Sequence, residues 1–233
     1  MAVQKYKTLE QIRGKIQREL DLEQEDFVRA NELLEYINEA IKECEAEIHT
    51  LYDDYFLTRQ TYQIVQGQDQ YTLPDDIYAH KIRRIVYNSG FGGQVWPIKR
   101  MRDWIKFEEH EYSLNYTTED VYQYFLLNPS AAAPVILLSP VPNVNLGIMR
   151  VYYLRAANIL VEDSDICDIP EFYNFLYAYV RYKVYEKEVH PGMASAAANL
   201  ERQRNLMTST LQSMIPDADN EIEMDNRLYQ DMI

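Results

Sequence analysis

Residues 26–51, DFVRANELLEYINEAIKECEAEIHTL, decide how the chain is read. Phe27, Ala30, Leu34, Ile37, Ile41, Cys44, Ile48 and Leu51 recur by threes and fours. That spacing predicts an amphipathic helix of about seven turns, starting near Asp26, with one continuous apolar seam. Leu33, Tyr36 and Ala40 widen the seam, so contact with more than one neighbouring helix is expected. The other side of the same stretch carries Glu32, Glu35, Glu39, Glu43 and Glu47.

Upstream, Thr8 and Gln11 stand at capping-box spacing before Leu9, Ile12, Ile16 and Leu20, predicting a first helix. Downstream, the period changes. From residue 59 the pattern reads as short strands broken by turn residues: 62–65, 71–73, 82–87, 95–98, 121–127, 135–138 and 148–154. Residues 101–111 interrupt them as a short helix with Trp104 and Phe107 on one side. The strands otherwise follow one another without crossover helices, so the sheet is expected to be mainly antiparallel. Helical periodicity returns after residue 168. Asp168 and Glu171 have capping-box spacing, and Phe172, Phe175, Leu176, Tyr179, Tyr182 and Tyr185 line one side. His190-Pro191-Gly192 ends that helix. Another follows, with Met193, Ala197, Leu200, Met207, Leu211 and Met214 on one face and Arg204 as its polar member.

The expected fold class is therefore α+β. Helices at 8–58 and 168–214 form one bundle, a mainly antiparallel β region at 59–160 is inserted in it, and 215–233 is an extended or disordered acidic tail.

Composition narrows the function classes. With 47% hydrophobic residues in 233, the chain can bury a sizeable core. No apolar run has the length of a membrane span, and the first residues lack the apolar middle of a signal peptide, which predicts a soluble protein. Net charge is −14, which argues against a broad phosphate-binding surface. The charge is also uneven: 21–54 is strongly acidic, whereas 81–106 holds Lys81, Arg83, Arg84, Lys99, Arg100, Arg102 and Lys106 against Asp103 alone. Two readings stand side by side: solvated faces, or complementary regions that meet between identical copies. Twenty tyrosines against seven glycines suit surfaces that become buried on association, and suit ordinary sheets as well.

Reactive chemistry leaves little trace. His49, His80, His110 and His190 lack metal-site spacing or a neighbouring nucleophile, and Cys44 and Cys167 have no zinc or disulfide pattern. The run Glu162–Asp168 lacks the glycine and closing glutamate of a calcium loop and reads as a lead-in to a helix N-terminus. No cofactor and no catalytic group are expected. A carboxylate-dependent hydrolase, for instance one acting on glycans, stays open as an alternative, since paired carboxylates need not be sequence neighbours.

Three stretches, in order, carry a family likeness: Tyr62–Tyr78 (YQIVQGQDQYTLPDDIY) with the strand at 82–86, then Ile136–Pro142 with 150–153, then 163–173 opening the aromatic helix. In this order, between paired helices, they resemble the head-to-tail adaptor (connector) proteins of tailed phages, including the tail tubular protein A group of short-tailed phages. The resemblance implies a non-enzymatic virion protein, assembled in the host cytoplasm. It implies a dodecameric ring of identical copies between the portal protein of the head and a tail nozzle or other tail protein. DNA would pass through the ring's channel without specific binding. Another neck or tail-completion role in the same particle is the nearest alternative. Within that frame Glu32, Glu35, Glu39, Glu43 and Glu47 are candidate channel-lining residues. Ile222, Met224, Leu228, Tyr229 and Ile233, apolar anchors in the acidic tail, are candidate partner contacts.

Overall fold

The computed structural model describes residues 5–22, 28–88, 95–112, 122–127, 133–142 and 147–215. The chain is α+β and divides into two compact units. A helical unit is built from residues up to 55 and from 157 onward, and a β unit from Phe56–Ala156.

In the helical unit, α1 (Leu9–Leu20) begins at the expected capping box. The Thr8 hydroxyl accepts from Gln11 N–H, and the Gln11 side chain accepts from Thr8 N–H. Leu9, Ile12 and Ile16 are buried, and the helix stops at Asp21, whose left-handed backbone returns its N–H to Gln17. The main helix α2 spans Ala30–Leu51; residues 23–27, where the sequence suggested its start, lie outside the described residues. Its buried stripe is Leu33, Ile37, Ala40, Ile41, Cys44 and Ile48. The phase thus differs from the expected seam: Leu34 is half-buried and Ala30 exposed, while Leu33 and Ala40 lie inside. Two adjacent apolar rows run along this helix, and the row centred on Leu33, Ile37 and Cys44 faces inward.

The central element of the unit is α4 (Tyr173–Glu188), buried from Phe175 through Val180. It packs against α2, α1 and α5 (Met193–Met214). The capping box expected at Asp168 and Glu171 is not formed. A 3-10 turn at Pro170–Phe172 precedes α4, which starts without a side-chain cap. Both carboxylates have other partners: Asp168 accepts from Asn158 N–H at 3.3 Å, and Glu171 from the Tyr55 hydroxyl at 2.6 Å. In α5 the buried residues are Ala196, Met207 and Leu211, whereas Met193 and Ala197 are exposed. One pairing was invisible to periodicity: β1 (Lys7–Thr8) runs antiparallel to the two residues Ile166–Cys167.

The β unit holds β2 (Leu57–Gln63), β3 (Gln70–Thr72), β4 (Ile77–Asn88), β5 (Val95–Arg100), β6 (Gln123–Leu127), β7 (Val135–Ser139) and β8 (Ile148–Arg155). They form one curled sheet in the order β2-β8-β4-β5-β6-β7-β3. Every pairing is antiparallel except β5–β6, which is separated in sequence by α3 (Trp104–Tyr112). The two outermost strands, β2 and β3, are consecutive in the chain. The Tyr62 hydroxyl donates to the Thr72 carbonyl at 2.8 Å, and the Tyr62 and Tyr71 rings meet edge-on at 5.9 Å. The curl encloses a core of Ile64, Ile85, Ile98, Ile136, Leu138, Met149 and Val151. Strand β4 starts earlier than the pattern suggested. Ala79 and His80 take positive φ there, and the register against β8 shifts between Ile77 and Ile82. A bulge of this kind erases the two-residue period locally.

Candidate interaction surfaces

The acidic residues of α2 fall on one flank because steps of three and four residues return to the same side of a helix. That flank faces α4 and α5. Glu32 accepts from Lys187 and, at 2.8 Å, from the Tyr36 hydroxyl. Glu39 lies 3.5 Å from Lys183 and 3.4 Å from the Tyr179 hydroxyl, and Glu43 lies 3.4 Å from Arg204. Three of the five expected lining residues are thus steps of an ion-pair ladder within the unit. Glu35 is exposed and Glu47 half-buried. The Lys187 and Tyr36 hydrogen bonds hold the Glu32 carboxyl below the usual range. Burial, then the bond to Glu32, pushes the Tyr36 phenol up to about 12. The pairs are largely solvated, so they orient the helices more than they stabilise them.

The opposite flank of α2 holds the segment that re-enters the helical unit. Asn38 exchanges hydrogen bonds with both backbone groups of Leu160, and the Glu45 carboxylate accepts from Ala157 N–H at 2.6 Å. Asp163, Asp165 and Asp168 of the acidic run that follows find partners within the protein. Asp165 accepts from the N–H groups of Val161 and Glu162, which lower its pKa, and Asp163 pairs with Arg13 at 2.8 Å. The backbone carbonyls of Asp165 and Asp163 take the first two N–H groups of α1, Leu9 and Glu10. Among the described residues, no group of three or more His, Cys, Asp or Glu side chains is placed to hold a metal ion.

A shallow polar groove of about 320 Å³ lies between α1, α4 and α5, lined among others by Lys15, Glu19, Tyr177, Arg181 and Arg202. Lys15 sits over the Tyr177 ring, 3.9 Å from its centroid, and Arg181 pairs with Glu19 at 3.2 Å. The arrangement offers ionic and aromatic contacts. Cys44 and Cys167 are both buried and free. Burial pushes both thiols up, Cys167 to about 11. The candidate tail contacts Ile222, Met224, Leu228, Tyr229 and Ile233 lie outside the described residues.

One surface escaped sequence reading. On β2, β8 and β4 the register sets Arg59 opposite Tyr152 and Tyr152 opposite Arg84, all on one face. Arg150, two residues from Tyr152, shares that face. It also pairs with Val86, and Val86 with Pro97 of β5, so Lys99, two residues on, joins them. Only Arg84 and Lys99 belong to the basic stretch 81–106; register alone brings in Arg59 and Arg150.

Among the described residues, no helix is long and apolar enough to cross a membrane. No curated protein matches the chain. Its likeness is to a family of phage structural adaptors, virion components that interact with other head and tail proteins. The model of that family, the SU10 adaptor protein family, matches residues 7–226, and the chain belongs to it.

Proposed function

We propose that the chain is one subunit of a ring, dodecameric as the resemblance implies, that joins the portal of a phage head to the tail and leaves a channel for DNA. The observation that carries this reading is the family match across both units, residues 7–226. The narrower likeness to the tail tubular protein A group belongs to the same reading and is not part of that match. Its role is non-enzymatic: the subunit contributes surfaces rather than a reaction. Closed rings arise when one patch of each copy meets a different patch of the next. The uneven charge of the two units supplies patches of that kind.

Two finer elements go with it. The acidic flank of α2 is the proposed channel wall, where negative charge lets DNA pass without adhering. Because Glu32, Glu39 and Glu43 are engaged with cations of α4 and α5, Glu35 and Glu47 carry more of that role. The tail beyond residue 216, with Ile222, Met224, Leu228, Tyr229 and Ile233, is the proposed arm onto the portal or tail partner.

The test is co-assembly of purified protein with portal particles, read by electron microscopy and native mass spectrometry. A stoichiometric ring on the portal is expected; portal particles that stay bare under tail-assembly conditions overturn the reading. Lysine at Glu35 and Glu47 should impair DNA retention or ejection, and unchanged behaviour removes the lining. Deletion of 217–233 should weaken attachment, and normal attachment removes the arm.

A further inference from the structure

Several cations of the helical unit are already engaged. In the helical unit Arg13, Lys15, Arg181, Lys183, Lys187 and Arg204 all stand in ion pairs. On the outer face of the β unit, Arg59, Arg84, Lys99 and Arg150 have no ion pair or hydrogen-bonded carboxylate among the described residues. Strands sit about 4.8 Å apart, so Arg59 and Arg84, with one strand between them, are anchored only about 10 Å from each other. That is close to the screening length at physiological salt, about 8 Å. Like charges on neighbouring positions of this face repel one another, and an acidic partner relieves the repulsion.

The surface has apolar components too. Tyr152 lies between Arg59 and Arg84, and Val86, on the same face, is only 5% exposed beneath them. Ile148 and Val95, both on this face beside Asn88, remain 42% and 40% exposed. Arginine, tyrosine and exposed aliphatics together suit a protein partner better than a phosphate backbone, which recruits charge without apolar area.

The same sequence supplies a partner of opposite sign. Among the described residues, the helical unit contains 19 Asp and Glu against 12 Lys and Arg, and the β unit 7 against 10. We infer that the outer face of β2, β8, β4 and β5, with Arg59, Arg84, Lys99 and Arg150 around Tyr152, docks on the acidic helical unit of a second copy of this chain. The inference rests on the reading of the protein as a self-associating subunit and names the surface that does it. The contact is head-to-tail, because the two patches differ, and so it propagates from copy to copy.

The test uses the full chain, as a mixture of natural-abundance and 15N-labelled copies, under conditions where the wild type self-associates, alone or on portal particles. A carbodiimide, which joins an amine to a carboxylate without a spacer, is expected to link Lys99 of one copy to a carboxylate in residues 1–55 or 157–233 of a copy with the other label. Arg59→Glu with Arg84→Glu, folded by circular dichroism, should self-associate at least tenfold more weakly, with a shallower salt dependence. Unchanged association, or Lys99 links confined to a single copy or to another protein, overturns the surface while leaving the functional reading standing. Binding of duplex DNA that is lost in the same variant, with self-association intact, also overturns it. A wild type that never self-associates overturns both.

Discussion

Asn38 binds both backbone groups of Leu160, 122 residues away, donating to its carbonyl at 2.9 Å and accepting from its N–H at 3.0 Å. One side chain of α2 therefore serves as the strand partner for the segment that re-enters the helical unit from the β unit. Leu160 is fully buried, so its peptide groups have no water to turn to. Asn38→Leu keeps the branched shape and removes both bonds. It should destabilise the helical unit by about 1–3 kcal/mol, the cost of a buried polar group left unmet. Urea denaturation followed by far-ultraviolet circular dichroism measures it. Asn38→Asp, which can still accept from Leu160 N–H, should lie between leucine and wild type.

Gly147 makes the corresponding demand in the β unit. Its φ is +101°, and a Cβ there would lie 2.2 Å from the Asn88 carbonyl oxygen and 2.5 Å from the Tyr87 ring. Gly147→Ala should destabilise the β unit by about 2–3 kcal/mol, as a strained backbone combines with a steric clash. Gly67 is the control: its φ is +77°, yet the space around it is open. Gly67→Ala should cost only about 1 kcal/mol, and thermal melting of the two variants ranks them.

These two positions mark where sequence reading succeeds and where it stops. Gly67 sits in a polar turn between alternating segments, and that local pattern marks the turn and β3, whereas β2 (Leu57–Gln63) lies mostly upstream of the expected 62–65. Thr8 and Gln11 likewise announce α1, because both partners of the capping box lie within four residues. Asp168 and Glu171 show the same spacing and form no cap, because Lys5, Tyr55 and Asn158 compete for their oxygens. Sequence shows the acidic flank of α2 but not the cations at 183, 187 and 204 that meet it. The pairing of Arg59 with Tyr152 across β2 and β8 is a matter of register, which no local period specifies.

Cys44 and Cys167 are fully buried, and burial drives both thiols away from the reactive thiolate. Neither should react with a thiol-specific disulfide reagent at pH 8 on the timescale on which an exposed cysteine does. Both should react once urea unfolds the helical unit. A labelling rate that rises with urea in step with loss of helicity is the expected result. Rapid labelling of the native protein would show that the α2 core is open in solution.

Glu171 and Tyr55 set opposite limits on the pH range of the helical unit. Burial opposes ionisation of Glu171, yet hydrogen bonds from Lys5 and Tyr55 hold its carboxyl below the usual range. A lowered native pKa means the folded chain binds fewer protons than the unfolded chain in acid. The stability it contributes is thus complete above the ordinary carboxylate range and is lost as pH falls through the lowered value. For Tyr55 the sign reverses: burial, then the bond to Glu171, raises the phenol well above its ordinary 10.0. Its contribution is complete below pH 10 and is lost as pH rises through the raised value. Glu171→Gln should flatten the fall in the urea midpoint between pH 5 and pH 3, and Tyr55→Phe the fall above pH 10. An acid slope unchanged in Glu171→Gln would assign the acid sensitivity to other carboxylates, with Glu32 and Asp165, also lowered by hydrogen bonds, the next to replace.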